Sequence, residues 1–490
     1  MASFRSNVVA NYLGRATSMA SVYVFVLFYV SLLGVEAFGI ISFYTILLSF
    51  ASLFDVGISA TFSRQAAFQT DRAELLDIFT TFGRVLLISQ VVVAGAVMVL
   101  ALPITRHWLK LGDAVDADMA VTSVRLMTVV LVPQLMMSFY TGGLMGLQRQ
   151  VQANVIQACF SLSRSGLVIL PLLIWPDLRV FFLWQAAVAL IFALLSRRFL
   201  LSAMGHGMAH SGRFVFEKIK PLMGYSAGML AMTVIATINT QLDKLVVSSH
   251  FAIASFSYYS LASSLAQIPL ALSQPVAMAL FPRLTTYVAA GDSTRLSADY
   301  QRQSAIITLL GGLAAFGIVA FTPELLQVWF PGHAMPDFMV PVTRILALGG
   351  LFRSLQLGPY YLSLAHGENR FIAVLAGLAL LISVPLTFIL IGHYGLFGAA
   401  IPWLLVNGIN FIALSTSSHR RFHRGRTGQW LWGAVLGPLS LGAAAMALAR
   451  AAANGLGLGA IASLALAGVA GALALAASYI NLTRSGSERT

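Results

Sequence analysis

Apolar segments of about 20 residues or more, the length a helix needs to cross a hydrocarbon core, recur along this chain from end to end. In lipid every backbone N–H and C=O needs a partner inside the protein, so spanning elements are helices or closed barrels. These runs are too long and too continuous for barrel strands. The expected spans are 10–33, 38–62, 82–104, 119–146, 153–175, 179–200, 221–248, 252–281, 304–330, 339–366, 371–391, 396–418, 429–450 and 457–481. The expected fold class is an all-α polytopic membrane protein with about fourteen transmembrane helices. Composition agrees: of 490 residues 58% are hydrophobic and only 10% charged, where a soluble domain carries about 25% charged residues. Mean hydropathy is +0.83. The first span is read as a retained helix and not as a cleaved signal.

The net charge of +13 is unevenly placed. With the N-terminus inside, most of the 30 lysines and arginines fall on inner links, among them Arg64, Arg72, Arg149, Arg197, Arg198, Arg283, Arg420 and Arg421. That bias sets orientation and predicts both termini in the cytoplasm. The basic charge is therefore a topology signal that also attracts anionic membrane lipids, and no nucleic-acid partner is expected. A single cysteine, Cys159, excludes a disulfide framework and makes a cysteine-based metal site unexpected.

A second feature organises the spans. Arg64 and Arg283 stand 219 positions apart, as do Arg125 and Arg344, and Trp184 and Trp403. The link Gln148-Arg149-Gln150 falls on Gly367-Glu368-Asn369 at the same offset. Residues 1–200 and about 220–419 therefore read as two copies of a six-helix lobe, joined by a cytoplasmic linker at 201–220. An accessory helix pair and tail occupy 420–490. Six is even, so both copies run the same way through the membrane and should share an axis along its normal. Duplicated lobes with polar residues at their centres suggest a transporter with a central cavity, and duplication for structure alone is the alternative.

Charges within the spans are the candidate site. A charge at a helix centre costs roughly 2.5–3.5 kcal/mol on insertion scales. Arg164 and Arg353 each sit at the midpoint of a span. Facing a cavity they would bind an anion such as phosphate, for which the guanidinium fork is suited; bonding to backbone carbonyls or a buried acid is the other reading. Arg125 and Arg344 lie a turn or two inside the outer interface and join the candidate set, with snorkelling as the alternative. Asp55 and Arg15 fall at similar depth on neighbouring helices and read as an ion pair, or as an ion-coupling site. The seventh span carries Asn239, Asp243 and Lys244 on faces that line a cavity or glue helices together.

The chain resembles a known family at the stretches Asn11-Tyr12-Leu13-Gly14-Arg15, Gly34-Val35-Glu36-Ala37-Phe38-Gly39, Leu53-Phe54-Asp55-Val56-Gly57, Gln241-Leu242-Asp243-Lys244-Leu245 and Phe281-Pro282-Arg283-Leu284. It is similar there to the polysaccharide transporters of the multidrug/oligosaccharidyl-lipid/polysaccharide (MOP) exporter superfamily, which include Wzx-type O-antigen flippases. The resemblance implies two six-helix lobes around a central cavity. It implies movement of a polyprenyl-diphosphate-linked oligosaccharide to the outer leaflet of a bacterial inner membrane, for O-antigen, capsule or exopolysaccharide. Partners would be the lipid-linked oligosaccharide, membrane lipids and the polysaccharide polymerase machinery. No bond chemistry and no cofactor are implied; a proton or sodium gradient would drive the cycle. The alternatives are a drug or small-molecule exporter of the same superfamily and, further off, a membrane enzyme acting on lipid-linked sugars. No Walker, HExxH or G-x-S-x-G element stands at a position that would support catalysis.

Overall fold

In the computed structural model, residues 25–69, 71–205, 207, 212–330 and 335–487 are described. They are helical almost throughout. Among them eleven helices are long and apolar enough to cross a membrane. Two further expected spans fall short because each is broken. The span at 38–62 is α2 (Val35–Ala51) and α3 (Leu53–Phe68), parted at Ser52. The span at 339–366 is α14 (Met339–Leu355) and α15 (Leu357–Ala365), parted at Gln356. Of the first span only α1, residues 25–33, is described.

The chain forms two compact units, 1–257 and 258–490. The first contains α1 to α3, then α4 (Arg72–Pro103), α5 (Ala117–Gly146), α6 (Gln150–Ser165), α7 (Ile169–Ile174), α8 (Leu178–Ala203), the short α9 (Phe216–Ile219) and α10 (Met223–His250). α4 opens on Asp71, whose carboxylate accepts from the backbone N–H groups of Ala73 and Glu74, a standard N-cap. The core is aromatic. Phe62, Phe79, Phe82 and Phe139 are buried together, and the Phe79 and Phe139 rings stack at 5.8 Å. Helix α5 approaches α3 closely because Gly146 has no side chain; a Cβ there would lie 2.2 Å from the Ser63 carbonyl oxygen.

Helix α10 and the start of the next helix dock on this first unit. Gln241 Nε2 donates to Ser49 Oγ at 3.2 Å, Ile253 N to the Lys110 carbonyl at 2.8 Å, and Ser257 Oγ to the Val35 carbonyl at 2.6 Å. The seam between compact units thus lies at Ser257–Tyr258, whereas the sequence copies meet at 201–220. The described end of that linker is docked: the backbone N–H groups of Gly212, Arg213 and Val215 donate to the side chains of Thr80, Asp77 and Thr81 on α4.

The second unit holds most of α11 (Ile253–Leu265), then α12 (Ile268–Ala290), α13 (Ser293–Trp329), α14, α15, α16 (Asn369–Tyr394) and α17 (Leu396–Phe422). The offset of 219 carries the first residue of α6 onto that of α16, and that of α8 to within one residue of α17. The accessory segment is α18 (Thr427–Trp430), α19 (Gly437–Gly455) and α20 (Ala460–Ser487). It is fastened to α13 at two levels. Near one end Arg450 pairs with Glu324, and its guanidinium carbon lies 5.5 Å from the Phe321 ring centroid. At the other, Trp430 stacks on Tyr300 at 6.1 Å and lies 4.3 Å from the His419 ring. His423 completes that buried cluster, with Nε2 at 3.0 Å from Ser297 Oγ.

Candidate functional site

The two intramembrane arginines share a local architecture that periodicity does not reveal. Each stands in the last turn of a helix that stops inside its expected span. Arg164 is the penultimate residue of α6, and the chain resumes as helix only at Ile169. Carbonyl oxygens at such a break lose their helical donors and need others. Here side chains supply them: Trp184 Nε1 donates to the Ser163 carbonyl at 3.0 Å, Gln185 Nε2 to the Arg164 carbonyl at 3.0 Å, and the Tyr29 hydroxyl to the Ser165 carbonyl at 2.5 Å. The half-buried Arg164 guanidinium lies 5.9 Å from the Phe160 ring centroid. The negative end of the α6 dipole and the ring face both favour its charge.

Arg353 repeats the pattern in the second unit. It is in the last turn of α14, three residues before the break at Gln356. Gln356 Nε2 donates to the Asn407 carbonyl at 3.0 Å and to the Phe352 carbonyl at 3.2 Å. Arg353 is half-buried, its guanidinium carbon 5.5 Å from the Trp403 ring centroid. Trp403 itself is tucked against α14 because residue 349 is glycine; a Cβ there would meet Trp403 Cδ1 at 2.2 Å. The Trp403 indole N–H is buried and has no acceptor among the described residues.

The two breaks lie on non-equivalent helices. α16, the counterpart of the interrupted α6–α7, runs unbroken through 26 residues, and α5, the counterpart of α14–α15, runs unbroken through 30. At the position of Arg353 the first unit has Gln134, whose Oε1 accepts from the buried Tyr44 hydroxyl at 2.7 Å. At the position of Arg164 the second has Ser383, whose hydroxyl donates to the Leu380 carbonyl.

Asp55 follows the same electrostatic logic with the sign reversed. The break at Ser52 places it in the first turn of α3, at the positive end of that helix. It is buried, and the hydroxyls of Ser59 and Ser138 donate to its carboxylate. Arg15, its expected partner, lies outside the described residues. On α10, Asn239 is half-buried, Asp243 is buried, and Lys244 lies within reach of the Asp243 charge.

Arg125 and Arg344 are exposed on their helices. Arg344 Nε donates to the Val319 carbonyl at 3.0 Å. That oxygen has no helical donor because residue 323 is proline, so Arg344 closes a gap in α13. Glu324 is the partner of Arg450. No group of three His, Cys, Asp or Glu side chains able to hold a metal is present among the described residues.

Residues 30–333 match the model of a family described as polysaccharide biosynthesis protein. The chain belongs to that family. This polysaccharide biosynthesis protein is 22% identical over 394 residues to the Shigella flexneri protein named "Putative O-antigen transporter", covering 76% of this chain and 87% of that one. Its fold is that of MOP superfamily transporters. It is similar to a lipid II flippase MurJ in an inward closed conformation, with TM-score 0.72 and 12% identity over 97% of this chain and 99% of that one. It is also similar to an inward-facing multidrug resistance MATE family transporter, with TM-score 0.63 and 14% identity over 83% and 94% of the two chains.

Proposed function

We propose that this polysaccharide biosynthesis protein is a flippase. It carries a polyprenyl-diphosphate-linked oligosaccharide from the cytoplasmic to the outer leaflet of a bacterial inner membrane by alternating access, with both termini in the cytoplasm. The observation that carries the reading is the pair of half-helix arginines. Each guanidinium is held inside the membrane with a dipole and an aromatic face behind it, so its N–H fork is available to an anion. Family membership and the name of the Shigella flexneri relative support a saccharide cargo, and the MurJ-like fold supports a lipid-linked one. A drug exporter of the same superfamily would gain nothing from two half-buried cations within its spans if its cargo were cationic. Asp55 is the proposed coupling group, with a proton or sodium gradient as the drive. The polymerase machinery that consumes the product is the proposed partner.

The test is reconstitution in proteoliposomes with a fluorescent polyprenyl-diphosphate oligosaccharide. Transfer across the bilayer that inorganic diphosphate does not stimulate, and that requires Arg164 and Arg353, is the expected result. Equal transfer of a neutral polyprenyl glycoside would overturn the diphosphate reading.

A further inference from the structure

At the arginine-rich end of α17 an open groove of about 450 Å³ is lined by Ala413, Thr416, Ser417, Arg420 and Arg421. Two of the arginines at this end are held in place. Arg421 Nη1 lies 2.6 Å from Glu368 Oε2, and its guanidinium carbon is 5.6 Å from the Phe371 ring centroid. Arg424 Nε donates to the Arg420 carbonyl at 2.9 Å. Glu368 also accepts from the Phe371 backbone N–H, which fixes the carboxylate that holds Arg421. From residue 369 to residue 426 the sequence has no acidic residue, while Arg370, Arg420, Arg421, Arg424 and Arg426 all stand at this end.

The same helix continues the groove as an apolar stripe. Leu405, Ile409, Ile412, Thr416 and Arg420 follow one another at steps of four and three, which places them along one face. Leu405, Ile409 and Ile412 are 44%, 51% and 64% exposed. Large aliphatic side chains exposed at membrane depth face acyl chains, not water. Ile412 lies about 12 Å along the axis from Arg420, at 1.5 Å per residue. Cationic and hydroxyl groups above a long aliphatic stripe have the polarity of one lipid: a phosphate diester at the interface with its chains below.

We propose that this groove is a binding site for an anionic phospholipid of the cytoplasmic leaflet, with Arg420 and Arg421 on the phosphate, Arg424 adding positive charge beside it, Thr416 and Ser417 as hydroxyl donors, and the acyl chains along Leu405, Ile409 and Ile412. The assignment of the leaflet rests on the charge-bias orientation above. The identity of the transported cargo does not enter.

The experiment uses the full chain in nanodiscs of phosphatidylcholine with a minor fraction of phosphatidylglycerol, and native mass spectrometry of the retained lipid. Arg420→Gln/Arg424→Gln is compared with Arg149→Gln/Arg198→Gln, which removes the same charge from other links on the basic side. The groove variant should lose phosphatidylglycerol retention about tenfold, as expected for loss of charge-assisted hydrogen bonds, and the control should keep it. Thr416→Val/Ser417→Ala, which leaves the charge unchanged, should lower retention by a smaller factor. Equal loss in the two arginine pairs would mean bulk electrostatics and would overturn the site. Displacement of phosphatidylglycerol by a polyprenyl diphosphate at equal concentration would also overturn it, by assigning the groove to the cargo.

Discussion

Trp184 and Trp403 occupy the same position in the two sequence copies, yet only Trp184 has an acceptor for its indole N–H among the described residues. The Trp184 donor takes the Ser163 carbonyl that the end of α6 releases. Its counterpart helix α16 is continuous there, so no carbonyl is released, and Trp403 Nε1 stays buried and unused beside Arg353. If this donor turns to an anion held at Arg353, it is used only in the loaded state. Trp403→Phe should therefore leave thermal stability unchanged or slightly raised while lowering transport about tenfold, the worth of one hydrogen bond to a charged group. Trp184→Phe should instead cost about 1 kcal/mol of stability. Thermal melts and a proteoliposome flipping assay on both variants separate the two roles.

Arg164→Ala and Arg353→Ala should each reduce appearance of lipid-linked glycan at the outer leaflet by about 10- to 100-fold at normal protein levels. The Lys variants keep the charge and lose the planar fork, so they should recover only part of the activity. Full activity in both Ala variants would remove the arginines from the site.

Asp55→Asn keeps both serine hydroxyls within bonding reach and removes the charge. If Asp55 couples transport to an ion, the variant loses its response to an imposed proton or sodium gradient while keeping slow, gradient-independent exchange. An unchanged gradient response leaves Asp55 as the electrostatic cap of α3.

Arg450→Ala removes the partner of Glu324, whose second carboxylate oxygen is already buried without a bond among the described residues. The pair is partly exposed, so the loss should be about 2 kcal/mol, between surface and buried values. Glu324→Gln/Arg450→Met should recover most of it. Detergent melts of the single and double variants check this.

His423 gives the accessory helices a pH dependence. Burial first, and then the charges of His419 and Arg426, push its pKa down from 6.5 to about 4. The folded state therefore holds it neutral where the unfolded chain already binds a proton. Its contribution to stability is complete above pH 6.5 and is lost as pH falls from 6.5 toward 4. His423→Gln should flatten the melting temperature across that window. A wild-type profile that is already flat there would exclude the effect.

Most of the spans are readable because each depends on an apolar run, while α4 and α13 begin about ten residues before theirs, at Arg72 and Ser293. The breaks at Ser165 and Gln356 are not readable in this way. A helix ends there because distant groups satisfy the break: Tyr29, Trp184 and Gln185 donate to the orphaned carbonyls of α6, and the Asn407 carbonyl accepts from Gln356 at the end of α14. None of those partners is near the break in sequence, so no window that slides along the chain contains the cause. Gly166 after the serine run around Arg164, and Pro359 beyond Gln356, were the local signals available. The Glu324–Arg450 pair is hidden for the same reason, its members 126 positions apart. The reading of Arg344 changed scale: a residue picked for its depth turns out to close the gap that Pro323 leaves in α13.

The displaced breaks also bear on how this gene can have evolved. Identical halves would offer two like sites; here one half carries its arginine on an interrupted fifth span and the other on an interrupted tenth. Two copies of the first half expressed together would lack the Arg353–Trp403 pair altogether. The asymmetry between the copies is written into which helix each one breaks.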